Sequence, residues 1–199
     1  MNSRRDEFVA QHFHNSRDVL ARTASDVNLI ATVTAIADAV TQSLRAGGKL
    51  LIAGNGGSAA DAQHIAGEFL ARFNFDRNPL PAIALTANSS VVTALANDYG
   101  FDHVFERQIR GLGRPGDVFL AISTSGRSPN ILAALKAARD AGLKTIGFGG
   151  GSGAAMRALC DLFLAAPSDQ TPQIQQIHIV AAHAICGLVE QDLCGMPPR

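Results

Sequence analysis

A short apolar run that breaks into a glycine-rich turn and resumes as a helix limits this chain more than any other feature. It is the stretch Lys49 to Glu68, KLLIAGNGGSAADAQHIAGE. Lys49 to Ala53 carries charge only at its start, which suits a buried strand. Gly54, Gly56 and Gly57 tolerate positive φ and leave no side chain in the way of a ligand. Ser58 is placed to cap the helix that follows, with Asp61 in its first turn. Such a turn aims free backbone N–H groups and the positive helix end at one point, which favours an anion or a polyhydroxyl ligand. His64 and Glu68, at i and i+4, share a face of that helix, and Asp61 lies one turn earlier on nearly the same face. The spacing differs from the dinucleotide fingerprint GxGxxG, because Ala59 stands at the last glycine position. No Gly-Lys-Ser/Thr follows, so it is not a nucleotide phosphate loop. A glycine turn alone can be plain βα architecture, and a single His–Glu pair is more often surface than site; their coincidence favours a site.

The remaining pattern is that of an α/β chain. Helical periods run over residues 4–24 and from Asn28 to Ala46, where Gly47-Gly48 stops the second. These two helices precede the first strand, are not crossovers, and are expected to pack on each other and on a neighbouring subunit. Further strands are expected at Pro81–Thr86, Asp117–Ile122, Lys144–Phe148 and Asp161–Ala165, with helices at 89–96, 102–112, 129–141, 156–159 and 171–193. Five short apolar strands alternating with helices specify a three-layer α/β/α sandwich around a parallel sheet, flavodoxin-like in plan. Ligands of such sheets bind beyond the carboxyl ends of the strands, where the turns 54–58 and 123–128 both fall.

The length of 199 residues fits one unit, with helices 1–46 preceding a core over 47–195. With 47% hydrophobic and 17% charged residues, much surface is expected to be covered, including between subunits. Zero net charge argues against nucleic acid or an anionic membrane as partner. The charged start MNSRRDE reads as no secretory signal, and no uninterrupted apolar run approaches the roughly 18 residues of a membrane span. Cys160, Cys186 and Cys194 read as reduced, mostly buried thiols of a cytosolic protein.

Ser123, Thr124, Ser125 and Ser128 bring four hydroxyls together just before Pro129 opens a helix. Hydroxyls, N–H groups and the helix dipole make a cradle for a phosphate monoester, and four exceed what capping needs. The last helix sets Gln175, Gln176, His178 and His183 among apolar residues. Gln175 and His183 are about 12 Å apart along the axis, so spacing alone pairs Gln175 with His178. With His64 and Glu68 they make a metal or acid–base site worth testing.

Taken together, GNGGSAADAQHIAGE, LTANSSVVTALANDYGFDHVF, AISTSGRSPNIL and TPQIQQIH…H…CGLVE resemble the phosphoheptose isomerases of the SIS (sugar isomerase) superfamily, over about residues 30–195. The resemblance implies a cytoplasmic homotetramer that interconverts sedoheptulose 7-phosphate and D-glycero-D-manno-heptose 7-phosphate, an early step towards the nucleotide-activated heptoses of lipopolysaccharide and other surface glycans. It implies substrate contacts at Asn55, Gly56, Gly57, Ser58, Glu68, Asn97, Asp98, Ser123, Thr124, Ser125, Ser128 and Gln175. Glu68 then matches the general base and His183 the general acid. His64, Glu68, Gln175 and His183 match the ligands of one zinc ion per subunit, with partial occupancy expected of an amide ligand. The resemblance thus favours His183 over His178. Gln176 stands where many members have Glu, Ile177 where a smaller residue is frequent, and GFGGGSG lacks a threonine common near its start; these put the fit of substrate near the last helix in question.

An aldose–ketose exchange through an enediol needs a base for the migrating proton and an acid partner for the oxygens. Glu68, beside Ile65 and Phe69, has neighbours suited to desolvate it. The rival readings are a sugar-phosphate sensor or a replication-initiator-binding module with no use for a base and acid, and an isomerase of another phosphosugar such as arabinose 5-phosphate.

Overall fold

The computed structural model describes residues 3–195. Its elements in order are α1 (Ser3–Ser25), α2 (Val27–Arg45), β1 (Leu50–Gly54), α3 (Gly57–Leu70), β2 (Ala82–Ala84) and α4 (Ser89–Tyr99). A 3-10 turn (Phe101–His103) leads into α5 (Val104–Leu112), β3 (Val118–Ile122), α6 (Pro129–Asp140), β4 (Lys144–Gly150), α7 (Ala154–Arg157), β5 (Leu162–Ala166) and α8 (Thr171–Cys194). The strands form one parallel sheet in the order β2-β1-β3-β4-β5. The expected three-layer arrangement is what these residues form.

The period of two along each strand divides the core. Leu50, Ile52, Leu120, Ile122 and Phe148 point to one face and pack against α2, α3 and α8. Leu51, Ala53, Phe119 and Ala121 point to the other, against Ile109 of α5 and Ile131, Ala134 and Leu135 of α6. Strands buried on both faces read as continuous apolar runs, which is why these were legible.

Several local expectations shift. The helix α2 is not merely a packing arm: Leu29, Ile36, Ala37 and Val40 bury its stripe in the sheet core beside α8, and Asp26 caps its start by accepting from Asn28 N (2.9 Å). Only Val19 and Thr23 of α1 are buried, so Phe8, Val9 and Phe13 stand exposed. By length and hydropathy α2 and α8 could each cross a membrane, but each has a face packed in the sheet's core. The helix α4 runs through Asn97 and Asp98 to Tyr99 rather than ending before them. Of the cysteines, Cys186 is buried, Cys160 half-buried and Cys194 exposed.

Two ion pairs brace the layers towards the amino end of the strands. At the amino edge, buried Asp117 accepts from Lys49 Nζ (2.6 Å), Lys49 N (2.9 Å) and Arg114 N (2.8 Å). On the α3–α8 side, Arg77 and Glu190 pair with side chains only 4% and 0% exposed. Burial pushes the Glu190 carboxyl up, but the Phe73 and Asn74 amides and Arg77 outweigh it, and the net value lies below the ordinary range. A depressed carboxyl stabilises the fold above its ordinary value and loses that contribution as pH falls through the native value. Glu190→Gln is therefore expected to cost about 3–5 kcal/mol at neutral pH, as for any buried pair broken on one side. That deficit should shrink as pH drops below 4.5, the ordinary glutamate value. Chemical denaturation across pH checks this; a deficit independent of pH would contradict the assignment.

Candidate active site

The β1–β3 register pairs Gly54 with Ile122, so the turns after these strands leave the sheet side by side at its carboxyl edge. Asn55 and Asn130 lock them together through reciprocal amide hydrogen bonds of 2.9 Å each way. Asn130 is 2% exposed, and nothing in its sequence context announced this clasp.

The glycines of the first turn have different reasons. Gly56 adopts φ 57° as the residue before α3. A Cβ at Gly57 would strike the Gln175 carboxamide, which places Gln175 of α8 directly on the turn. The helix begins two residues earlier than expected, with Gly56 at the cap position, so Ser58 is not its cap. Instead Ser58 is 3% exposed and packs under Gly54, and its N–H is taken by Asn55 O (3.0 Å). Its side chain lies within the fold rather than at the face of the turn.

In the second loop, Ser123 is buried and its Oγ accepts from Gly126 N (3.2 Å) and contacts Ser128 Oγ (3.2 Å). Ser125 Oγ accepts from Arg127 N (3.2 Å). The hydroxyls thus build the loop as well as line it, with Thr124 and Ser128 half-buried and Ser125 exposed. Gly150 N–H donates to Thr124 O (3.2 Å), which ties the loop to the end of β4.

Helix α3 carries His64 and Glu68 to α8, where His183 meets them. His64 Nε2 lies 2.9 Å from His183 Nε2 and 3.2 Å from Glu68 Oε1. One ligand atom from each of the three lies within 4.8 Å of the others, a group able to hold a metal ion. Two imidazoles facing nitrogen to nitrogen beside a carboxylate match a borderline-soft divalent ion. Glu68 is 23% exposed and His64 49%. Phe73, which the sequence did not single out, stacks on His183 with ring centroids 5.5 Å apart and planes at 29°. Asp61 is half-buried; burial raises its carboxyl, His64 partly opposes this, and its Oδ2 has no hydrogen-bond partner among the described residues.

His178, the spacing-based partner for Gln175, does not join this group. It faces the core at 1% exposure, meets Gly149 O at 3.2 Å and packs on Phe148. Burial pushes it down to about 4, so it is neutral and shapes the end of β4. Gln175 lies against the turn, its carboxamide at Gly57, the first residue of α3. Asn97 and Asp98 lie exposed in the last turn of α4, Asn97 Nδ2 donating to Asp98 Oδ1 (2.8 Å); α4 packs on the 3-10 turn and α5, away from the triad. Gln176 and Ile177 turn elsewhere: Gln176 Nε2 reaches Ser16 O (3.5 Å) on α1, and Ile177 packs with Val19 and Ile174. In GFGGGSG, side chains at Gly149, Gly150 or Gly153 would strike Phe163 or Ile174, so close packing explains its glycines.

Comparison with known proteins agrees with this arrangement. The SIS domain family model matches residues 11–150. A phosphoheptose isomerase of Bradyrhizobium sp. (strain BTAi1) is 56% identical over 193 residues, 97% of this chain and 98% of that one. The structure of a phosphoheptose isomerase from Neisseria gonorrhoeae superposes with a TM-score of 0.87 at 41% identity, covering 94% of this chain and 98% of the other. One from Francisella tularensis gives 0.89 at 37% identity, covering 93% and 97%. A chain matched end to end at such identities, with glycine and serine turns at the carboxyl edge of its sheet and a histidine–glutamate–histidine group between α3 and α8, belongs to the phosphoheptose isomerase family of SIS-domain proteins.

Proposed function

We propose that this chain isomerises sedoheptulose 7-phosphate to D-glycero-D-manno-heptose 7-phosphate through an enediol, in the cytoplasm, ahead of nucleotide-activated heptose formation. The observation that carries the reading is the meeting of Glu68 on α3 with His183 on α8, one ligand atom of each within 4.8 Å of the other, in a chain that also carries two loops suited to a sugar phosphate. A sensor or protein-binding module has use for the loops but none for a carboxylate beside an imidazole.

In this reading the 123–128 loop holds the phosphate, with Ser125 the most open hydroxyl. Asn55, Gly56, Gly57 and Gln175 line the path of the sugar, and Asn97 and Asp98 close it from α4. Glu68 takes the proton from one of C1 and C2 and returns it to the other. His183 gives and receives the proton of the oxygens, so no full oxyanion has to form. With one Glu68 oxygen turned to His64, the other is left for the carbon-bound proton.

Zinc is the ion proposed for His64, Glu68 and His183, with the Gln175 amide as a weak fourth ligand. When bound, it would polarise the carbonyl or hold adjacent hydroxyls. The exposed Phe8, Val9 and Phe13 on α1 support assembly, as a homotetramer by family resemblance.

Two measurements test the roles. Glu68→Gln keeps size and shape but cannot take a proton, and should lower kcat by about 10²–10⁴ while sugar phosphate still binds. His183→Gln should behave alike; a Glu68→Gln enzyme with ordinary turnover would remove Glu68 as base. His64→Ala should bind zinc at least about tenfold more weakly in a chelator competition, and equal affinity would take His64 out of the site.

A further inference from the structure

We propose that Arg77 and Glu190 act together as positioning residues that set the placement of Glu68 against His183. The inference rests on the roles proposed above for those two groups. Glu68 lies in the last turn of α3, where helix carbonyls lack partners within the helix. Arg77 supplies them: its Nη2 donates to Glu68 O (2.8 Å), and its Nη1 to Phe69 O (2.7 Å) and Ala71 O (3.2 Å). Its Nε donates to Glu190 Oε1 (3.1 Å), two turns along α8 from His183. The same carboxylate accepts from Phe73 N (2.9 Å) and Asn74 N (2.7 Å). Phe73 in turn stacks on the His183 ring. One buried guanidinium–carboxylate unit therefore holds the backbone of the base, the helix that carries the acid, and the ring behind that acid.

Buried ion pairs are weak sources of net stability, since apolar side chains of like volume often serve as well. An apolar pair could not reach these backbone groups. What the charged pair adds is geometry, with the planar fork spanning α3 and α8 at fixed separation.

Arg77→Lys tests this in the full-length protein. Lysine keeps the charge opposite Glu190, but one ammonium cannot span the carbonyls and the carboxylate together. We expect kcat to fall about 10–100-fold and zinc to bind about tenfold more weakly in chelator competition, as for outer-shell partners elsewhere. KM should stay within about threefold, because the phosphate loop is held by other bonds; the scale expected is that of interactions made mainly in the transition state. Asp117→Asn, which breaks the Lys49–Asp117 pair and touches neither α3 nor α8, serves as control: it should lower Tm without changing kcat per folded enzyme. Wild-type kcat and zinc affinity in Arg77→Lys, or losses that Asp117→Asn matches, would overturn the proposal. If Arg77→Lys does not fold, Arg77→Met/Glu190→Leu is read the same way. An inactive wild type would instead refute the isomerase reading, and the zinc measurement would still decide this one.

Discussion

The parallel pairing of β1 with β3 is the constraint from which the site follows. Their register ends both strands level, at Gly54 and Ile122, and both candidate ligand loops depart from that line. The glycine turn and α3 leave one strand, the serine loop and α6 the other, and the Asn55–Asn130 clasp holds the two exits together. Helix α3 covers the side of the sheet where α8 packs, its Ile65, Ala66 and Phe69 sharing one core with Ala181, Ala182 and Ile185, and this packing brings His64 to His183. Without it His64 and Glu68 would have no helix opposite to supply His183.

Much of this was legible because burial on two faces writes long apolar runs, and because turns after strands write glycine and serine. The 54–58 and 123–128 turns, the i,i+4 pair on α3 and the five strands all have such signals. Boundaries moved where a local rule met packing. Ser58 looked like a cap but is buried beneath Gly54, since Gly56 takes the positive φ that lets the helix start earlier. His178 looked like the metal partner of Gln175, but α8 turns it into the core.

What stayed hidden depends on contacts distant in sequence. Arg77 is one arginine in a loop rich in Phe, Asn and Pro, and Glu190 is separated from it by 113 residues. An acid seven residues beyond His183 on an apolar helix was the available hint, because a fully buried carboxylate needs a partner. Phe73 and Asn130 carried no hint, as neither stacking nor an amide clasp leaves a periodic trace. His183 itself was chosen through family resemblance, and its 2.9 Å approach to His64 supplies the physical reason that spacing lacked.

The central claim is that Glu68 and His183 move a proton between adjacent carbons of a heptose phosphate. The most direct test follows sedoheptulose 7-phosphate by NMR with purified protein in D2O, with and without added zinc. Conversion to the aldose with deuterium at the exchanging carbon is the expected result, since an enediol releases its proton at least partly to solvent. A protein that binds the sugar phosphate but neither converts it nor exchanges a proton under either condition would contradict the account.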